Sequence, residues 1–460
     1  MNKAIPQQKK DFTSGPLLRQ ILLFSLPLIA TSVLQLLFNT ADTVVVGRWG
    51  GDTKEACENA LAAVGSCGAL INLLVNLFFG LSVGAGVTVA HDFGAGDYDG
   101  VRKTVHTSVL TAMIGGVGAT VIGIVAARPL LSLMGTEAGV LDQAVPYMIA
   151  FFCGMPANMV YNYCASLLRS TGDSKRPLAY LSVAGTANVL LNLVMVLIFR
   201  LGALGVGIAT AVSQWISCIL ILLYMTRTDD VCHLEWRELR IHKDRFWKLL
   251  YIGLPAGIQG CLFSLSNVLI QSSINSFGRV VVAGNTAAGN LEGYIYVCQN
   301  ALYTSALTFV GQNLGAKKPD RLKKSGLLCL AVVTVVGLSL GSLMVLFGRP
   351  LLSLYAPGNE EVLAAGMIRL RIIGFTYFLC GAMEVGCGIL RGMGKAILPM
   401  IVSLLGSCVF RIVWILTVFA AFPTLECLFI SYPISWLLTG AVHFVCVGFS
   451  LRGLKERWKE

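Results

Sequence analysis

Charge is what this sequence has least of. Only 13% of its 460 residues are Asp, Glu, Lys or Arg, about half the share in an ordinary soluble domain, and mean hydropathy is +0.74. A soluble globular fold is excluded. Histidine is scarce too: five residues stand singly along the chain and form neither an H-E-x-x-H zinc motif nor a catalytic cluster. There is no phosphate-binding loop of the G-x-x-x-x-G-K-[ST] type, because Gly394-Lys395 is followed by Ala396 and Ile389 stands where the first glycine belongs. The fourteen cysteines are never spaced C-x-x-C, and most, such as Cys67, Cys153, Cys218, Cys329, Cys408 and Cys446, lie inside apolar runs. They read as small buried hydrophobes rather than a disulfide framework or a metal site. Enzyme chemistry, a resident cofactor and a metal centre are not expected.

What the chain has in abundance is apolar stretches long enough to cross about 30 Å of hydrocarbon. Twelve spans are predicted, beginning near residues 21, 60, 104, 143, 177, 202, 249, 280, 326, 363, 397 and 427, so the fold class is all-α integral membrane. The polar start carries Lys3, Lys9, Lys10 and Arg19 and leads into a long span rather than a short apolar region with a cleavage site, unlike a signal peptide. The 35 Lys and Arg fall in alternate loops, 26 on the side of the termini, 6 on the other side and 3 within spans. By the positive-inside rule both termini are cytoplasmic and the protein is a multi-pass protein of the cell membrane. The net charge of +11 then faces the lipid bilayer surface, and nucleic acid is not a partner.

The two halves of the chain resemble each other. Arg128-Pro129-Leu130-Leu131-Ser132-Leu133 recurs as Arg349-Pro350-Leu351-Leu352-Ser353-Leu354, displaced by 221 residues. Leu168-Arg169 with Gly172 and Pro177 recurs as Leu390-Arg391 with Gly394 and Pro399, and Leu26-Pro27 with Asn39 as Leu254-Pro255 with Asn267. Matches in register indicate duplication. The expected organisation is a cytoplasmic segment 1–20, a six-helix bundle 21–225, a basic cytoplasmic linker 226–248, a second six-helix bundle 249–451 and a cytoplasmic tail 452–460. A six-span copy keeps its orientation, so a pseudo-two-fold axis along the membrane normal is expected, with a substrate cavity between bundles that rock against each other. Six-helix halves that close on themselves require no second copy, so a monomer suffices.

Ionisable residues within spans need a partner or a wet cavity, and they are few: Asp42, Glu292, Arg369, Arg371, Glu384, Arg411 and His443. Asp42 ends a polar run on the first span (Gln35, Asn39, Thr40, Asp42, Thr43), in a half whose spans hold no basic residue. An unpaired carboxylate of this kind takes up a cation as its cavity dries and releases it as water returns; alternatively Asp42 lies at the outer end of its span and faces interfacial water. Glu292 falls near mid-membrane by helical rise. Glu384 either faces a cavity or pairs with Arg411. Arg369 and Arg371 are read as interfacial, snorkelling outward, and His443 as a packing residue. Asn267 and Gln271 place polar groups on the seventh span, as Gln35 does on the first. Pro27 and Pro255 mark a hinge or a static kink in their helices. Gly80-Leu-Ser-Val-Gly84-Ala-Gly86 reads as a surface for close helix approach.

The segments Leu26-Pro27, Asn39-Thr-Ala-Asp42-Thr43, Leu61-Ala-Ala-Val-Gly65, Leu168-Arg-Ser-Thr-Gly172-Asp-Ser-Lys175, Phe309-Val-Gly-Gln312-Asn-Leu-Gly315-Ala and Leu390-Arg-Gly392-Met-Gly394, in this order, resemble the MATE family (multidrug and toxic compound extrusion), most of all its bacterial branches. The resemblance implies secondary active efflux: protons or sodium moving inward drive lipophilic, cationic drug-like compounds or metabolites outward by alternating access. It also implies that Asp42 is the cation-coupling carboxylate, with Asn39, Asn188 and Thr210 around it. The family's fifth-span pattern Asn-x-x-x-Asp reads here as Asn188 and Asn192, which leaves Asp42 as the only acidic member of that cluster. Gln35, Asn267, Gln271, Glu292 and Glu384 are the candidate substrate-cavity residues and Pro27 the candidate hinge. The competing reading is a flippase for a lipid-linked saccharide or other lipid, which would need several basic residues in its cavity. A passive channel would need charge rings or filter loops, and neither is present.

Overall fold

Inside a bilayer only a helix satisfies its own backbone without partners, and the apolar runs fold accordingly. The computed structural model describes residues 11–134 and 136–458, and no strand occurs among them. The first half holds α1 (Leu17–Trp49), α2 (Lys54–Gly94), α3 (Tyr98–Leu133), α4 (Ala138–Cys153), α5 (Met155–Ser170), α6 (Lys175–Leu193) and α7 (Gly202–Arg227). The second holds α8 (Lys243–Asn275), α9 (Arg279–Gly315), α10 (Pro319–Leu346), the short α11 (Gly348–Ser353), α12 (Glu360–Arg369), α13 (Phe375–Gly392), α14 (Ile397–Ser403), α15 (Phe410–Trp414) and α16 (Leu425–Arg457). Among the described residues ten helical stretches are long and apolar enough to span, and α4 with α5, bent by 44°, makes an eleventh. The bend falls at Gly154 with a proline, Pro156, at the start of α5, where the missing amide weakens the join. The remaining expected span is α9, 37 residues long but carrying Asn285, Asn290, Glu292, Gln299 and Asn300, which lowers its apolar character. Side-chain caps open several helices: Thr53 accepts from the amide of Ala56, Asp97 from Gly100 and Thr424 from Cys427.

The chain forms two compact units, and they do not divide cleanly at the linker. Unit 1 comprises Ala30–Gly257 together with Asp11, and unit 2 comprises Phe12–Ile29 with the chain from Ile258 onward. Each unit therefore takes the beginning of a helix whose remainder belongs to the other, and the change falls two residues after Pro27 in α1 and two after Pro255 in α8. In unit 2 the ring of Phe12, 1% exposed, stacks on Phe309 at 4.0 Å, and Arg321 donates to the carbonyls of Phe12, Ser14 and Gly15 at 2.6–2.9 Å. In unit 1 Arg245 and Lys248 at the start of α8 hold the buried Asp92 of α2 at 2.5 and 3.4 Å. The α2 glycines do bring helices together: a Cβ at Gly80 would stand 2.0 Å from the backbone of Gly257, and one at Gly86 2.4 Å from Ser166.

The repeated Leu-Arg-x-x-Gly sequence is a helix stop. Gly172 and Gly394 adopt φ of 92° and 79°, the amide of Asp173 donates to Leu168 O at 2.9 Å and that of Lys395 to Leu390 O at 3.0 Å, which is the Schellman ending of α5 and α13. The same ending closes α2 at Gly96 and α9 at Lys317, which holds φ 54° without being glycine. A left-handed backbone costs a non-glycine residue about 1 kcal/mol. Lys317→Gly is therefore expected to raise stability by about 1 kcal/mol and Gly172→Ala to lower it by about as much, read as opposite shifts of Tm in detergent.

Candidate functional site

Each unit encloses a polar cavity. That of unit 1, 460 Å³, is lined on α1 by Gln35, Asn39, Asp42 and Thr43, residues spaced so that Gln35, Asn39 and Asp42 share one helix face. Asn188 on α6 and Thr210 on α7 face the same space. Asn192, 0% exposed, stands just behind it and links the group: its Nδ2 donates to Asp42 Oδ1 and to Asn188 Oδ1 at 3.3 Å, Asn188 Nδ2 donates to Thr210 Oγ1 at 3.5 Å, and the Thr210 hydroxyl donates to Val206 O at 2.9 Å. The carbonyl oxygen of the Asn192 side chain is buried and accepts no hydrogen bond among the described residues. A π-helical turn, Val194–Ile198, follows directly, the kind of local widening of the helix found at functional positions. Among the described residues no Lys or Arg lines this cavity and Asp42 makes no ion pair. Its surroundings are amides, hydroxyls and aromatic rings.

The cavity of unit 2, 550 Å³, is lined by Asn267 and Gln271 on α8, Glu292 on α9, Glu384 on α13, Arg411 on α15 and Trp436 on α16. Glu292, 4% exposed, accepts two bonds from Arg369, at 2.9 Å from Nε and 2.7 Å from Nη2. Arg369 Nη1 also donates to Asn285 Oδ1 at 2.5 Å, and Asn285 donates to Gln271 Oε1 at 3.3 Å. The expectation that Arg369 snorkels to an interface is thus corrected. Arg369 and Arg371 are two positions apart and so point to nearly opposite helix faces: Arg371 is exposed, while Arg369 turns toward α9, where the bidentate pair satisfies both charges. Glu384 and Arg411 do not pair. Arg411 instead donates to Ser435 Oγ at 2.9 Å and lies over the Tyr432 ring at 4.1 Å, and Glu384 has no hydrogen bond or ion pair among the described residues. His443 is fully buried, its ring within reach of Met383 O at 3.2 Å and Ser403 Oγ at 3.4 Å, a packing residue on α16.

The cavities bring together Gln35, Asn39, Asp42, Asn188 and Thr210 in one unit and Asn267, Gln271, Glu292 and Glu384 in the other, while Pro27 lies in neither lining. Sequence reasoning missed Asn158 and Asn162 on α5, which also line the unit 1 cavity. Their signal was present: two amides at i and i+4 inside an apolar run, with Asn162 Nδ2 donating to Asn158 Oδ1 at 2.9 Å. Two stretches, Gly80–Gly84 and Gly337–Gly341, spell G-x-S-x-G, but both lie inside helices. The Ser82 hydroxyl donates to Phe79 O at 2.7 Å. Neither is the strand-to-helix elbow that exposes a nucleophile.

Residues 27–195 and 255–440 match the family model MatE. The chain belongs to the MatE family. It is accordingly a multi-pass membrane transporter of small molecules and not an enzyme. Among its relatives it is 28% identical over 393 residues to "Probable multidrug resistance protein YoeA" of Bacillus subtilis, covering 84% of this chain and 83% of that one. It is 25% identical over 448 residues to an "FAD transporter" of Shewanella oneidensis, covering 94% and 95%. The fold of this MatE chain is that of a solved outward-facing multidrug resistance MATE family transporter, with a TM-score of 0.90 and 20% identity over 98% of this chain and 99% of that one.

The Glu292–Arg369 pair gives a test of this geometry. Removing one partner of a buried pair strands the other, at about 3–5 kcal/mol. Arg369→Gln should lower the Tm in detergent sharply, whereas Arg371→Gln, at an exposed position, should leave it within about 1 kcal/mol of wild type.

Proposed function

We propose that this MatE-family chain is a cation-coupled antiporter of the cell membrane, with both termini in the cytoplasm, that exports lipophilic, cationic drug-like compounds or metabolites by alternating access and acts as a monomer. The observation that carries the reading is Asp42: a carboxylate inside a polar cavity with no basic residue, its hydrogen-bond partner the amide of Asn192. A carboxylate so placed lacks its counter-ion, and a proton, a sodium ion or a cationic substrate can each supply it. The buried carbonyl of Asn192 beside it is an oxygen donor of the type that hard cations take. Coupling ion and substrate then compete for one charge, and competition is what exchange requires. Tyr147, Phe151 and Phe38 line the same cavity and offer ring faces to a lipophilic cation.

The 26 to 6 distribution of Lys and Arg between the two sides supports this orientation. Pro27 and Pro255 are the candidate hinges, because α1 and α8 each pass from one unit to the other two residues beyond them. The names of the relatives span drugs and FAD, so we read the cargo from the cavity. A lipid flippase is disfavoured because it would need several basic residues in its cavity, whereas Arg369 is already neutralised by Glu292 and Arg411 alone remains among the described residues.

Efflux of ethidium from proteoliposomes, with proton and sodium gradients imposed separately, tests the proposal. One gradient should drive wild-type efflux, and Asp42→Asn should reduce the driven rate at least about tenfold while the protein stays folded, the loss of one well-placed charge interaction. Coupling that survives the substitution moves the ion site to Glu292 and Glu384. Flux indifferent to both gradients removes the antiport reading and favours a lipid cargo.

A further inference from the structure

Arg411 is the one charged side chain lining the unit 2 cavity, besides Glu384, that no opposite charge neutralises among the described residues. It is 5% exposed. Its Nε is anchored on Ser435 Oγ at 2.9 Å, and its plane rests over Tyr432 at 4.1 Å and near Trp436 at 5.7 Å. Neither terminal nitrogen donates a hydrogen bond among the described residues, and no carboxylate lies within ion-pair distance, although Glu384 lines the same cavity. Arg369, the other arginine there, is spent on Glu292 and Asn285. A buried guanidinium left with two donors toward an open space is expensive inside a membrane, and a planar fork of N–H groups matches a carboxylate or phosphate better than any other group. The space beside it, 550 Å³, is walled by Tyr296, Tyr377 and Trp436, a size and lining suited to a small aromatic molecule.

We propose that the unit 2 cavity is a binding site for an organic anion, a carboxylate or phosphate carried on an aromatic body, with the anionic group seated on the two terminal nitrogens of Arg411. The serine anchor and the aromatic support hold the guanidinium at the cavity wall, so the anion meets a preset fork and its rings meet the tyrosine and tryptophan wall. Glu384 sets a second condition: the ligand places its neutral or cationic end, not its anionic one, toward α13. The site extends the cargo chemistry beyond cations and is independent of the coupling reading, because binding needs no gradient. Failure of one leaves the other standing.

Binding to the full chain in detergent by titration calorimetry tests it, with 2-naphthoate, 1-naphthyl phosphate and the uncharged 2-naphthalenemethanol as probes. Wild type should bind the two anions at least about tenfold more tightly than the alcohol, the weight of one charge-assisted hydrogen bond. Arg411→Gln should abolish that preference while the alcohol binds as before. If Arg411→Gln does not fold, Arg411→Lys, which keeps the charge and loses the fork, should reduce the preference several-fold. Arg371→Gln should change nothing. Competition by lysophosphatidate against naphthyl phosphate separates the sources: displacement puts a lipid phosphate in the Arg411 seat, and none reserves it for soluble anions. No anion preference in wild type, or a preference untouched by both Arg411 substitutions, overturns the proposal.

Discussion

The constraint on which the rest depends is that an ion removed from water must find an opposite charge, a set of hydrogen bonds or a wet cavity. Arg391 meets it by hydrogen bonds, donating to the Tyr303 hydroxyl at 2.7 Å and to Gln259 Oε1 at 2.8 Å, and others meet it by pairing. Asp92 is held by Arg245 and Lys248, and Glu292 by Arg369. These pairs fix helix against helix and are silent otherwise. Asp42, Glu384 and Arg411 meet it in the third way, at the walls of cavities, and they are where solute chemistry can enter. The distinction between structural and functional charge in this molecule is the distinction between charges satisfied inside the protein and charges that face a cavity.

The two halves, alike in sequence, have become chemically unlike. Their helix stops are retained to the residue, with Gly172 and Gly394 in the same left-handed conformation. Their cavities are not. Unit 1 offers one carboxylate among amides, with Asn192 donating both to it and to Asn188, which in turn donates to Thr210. Unit 2 offers both signs, an aromatic wall and an internal ion pair. Duplication preserved the scaffold because helix ends and close glycine contacts tolerate little change, and cavity linings were free to diverge because each position there faces space rather than a neighbour.

Much of this was legible in the sequence. The predicted spans begin within two residues of α6, α7, α9, α14 and α16, since apolar length is a property of consecutive residues. The polar face of α1 was legible as well, because Gln35, Asn39 and Asp42 lie on one helix and helical spacing alone aligns them. What was not legible is what meets across helices. Arg369 was misread because sequence position along a span does not tell which neighbour its face meets, and Glu292 lies 77 residues away. The pairing of Glu384 with Arg411 stayed open for the same reason, and Ser435 and Tyr432, which hold Arg411, could not be foreseen. The exchange of helix beginnings between units at Pro27 and Pro255 was equally hidden, because the linker looked like the natural boundary.

The account turns on Asp42 being a cation-accepting carboxylate without a counter-ion. Labelling with dicyclohexylcarbodiimide, which attacks protonated carboxyls in apolar surroundings, reads this directly when the modified residue is located by peptide mass spectrometry. Modification is predicted at Asp42, suppressed by tetraphenylphosphonium or by raising the pH, with Glu292 unmodified because the Arg369 guanidinium occupies both of its oxygens. Modification confined to unit 2 carboxylates, or labelling of Asp42 that a lipophilic cation leaves unchanged, would contradict it.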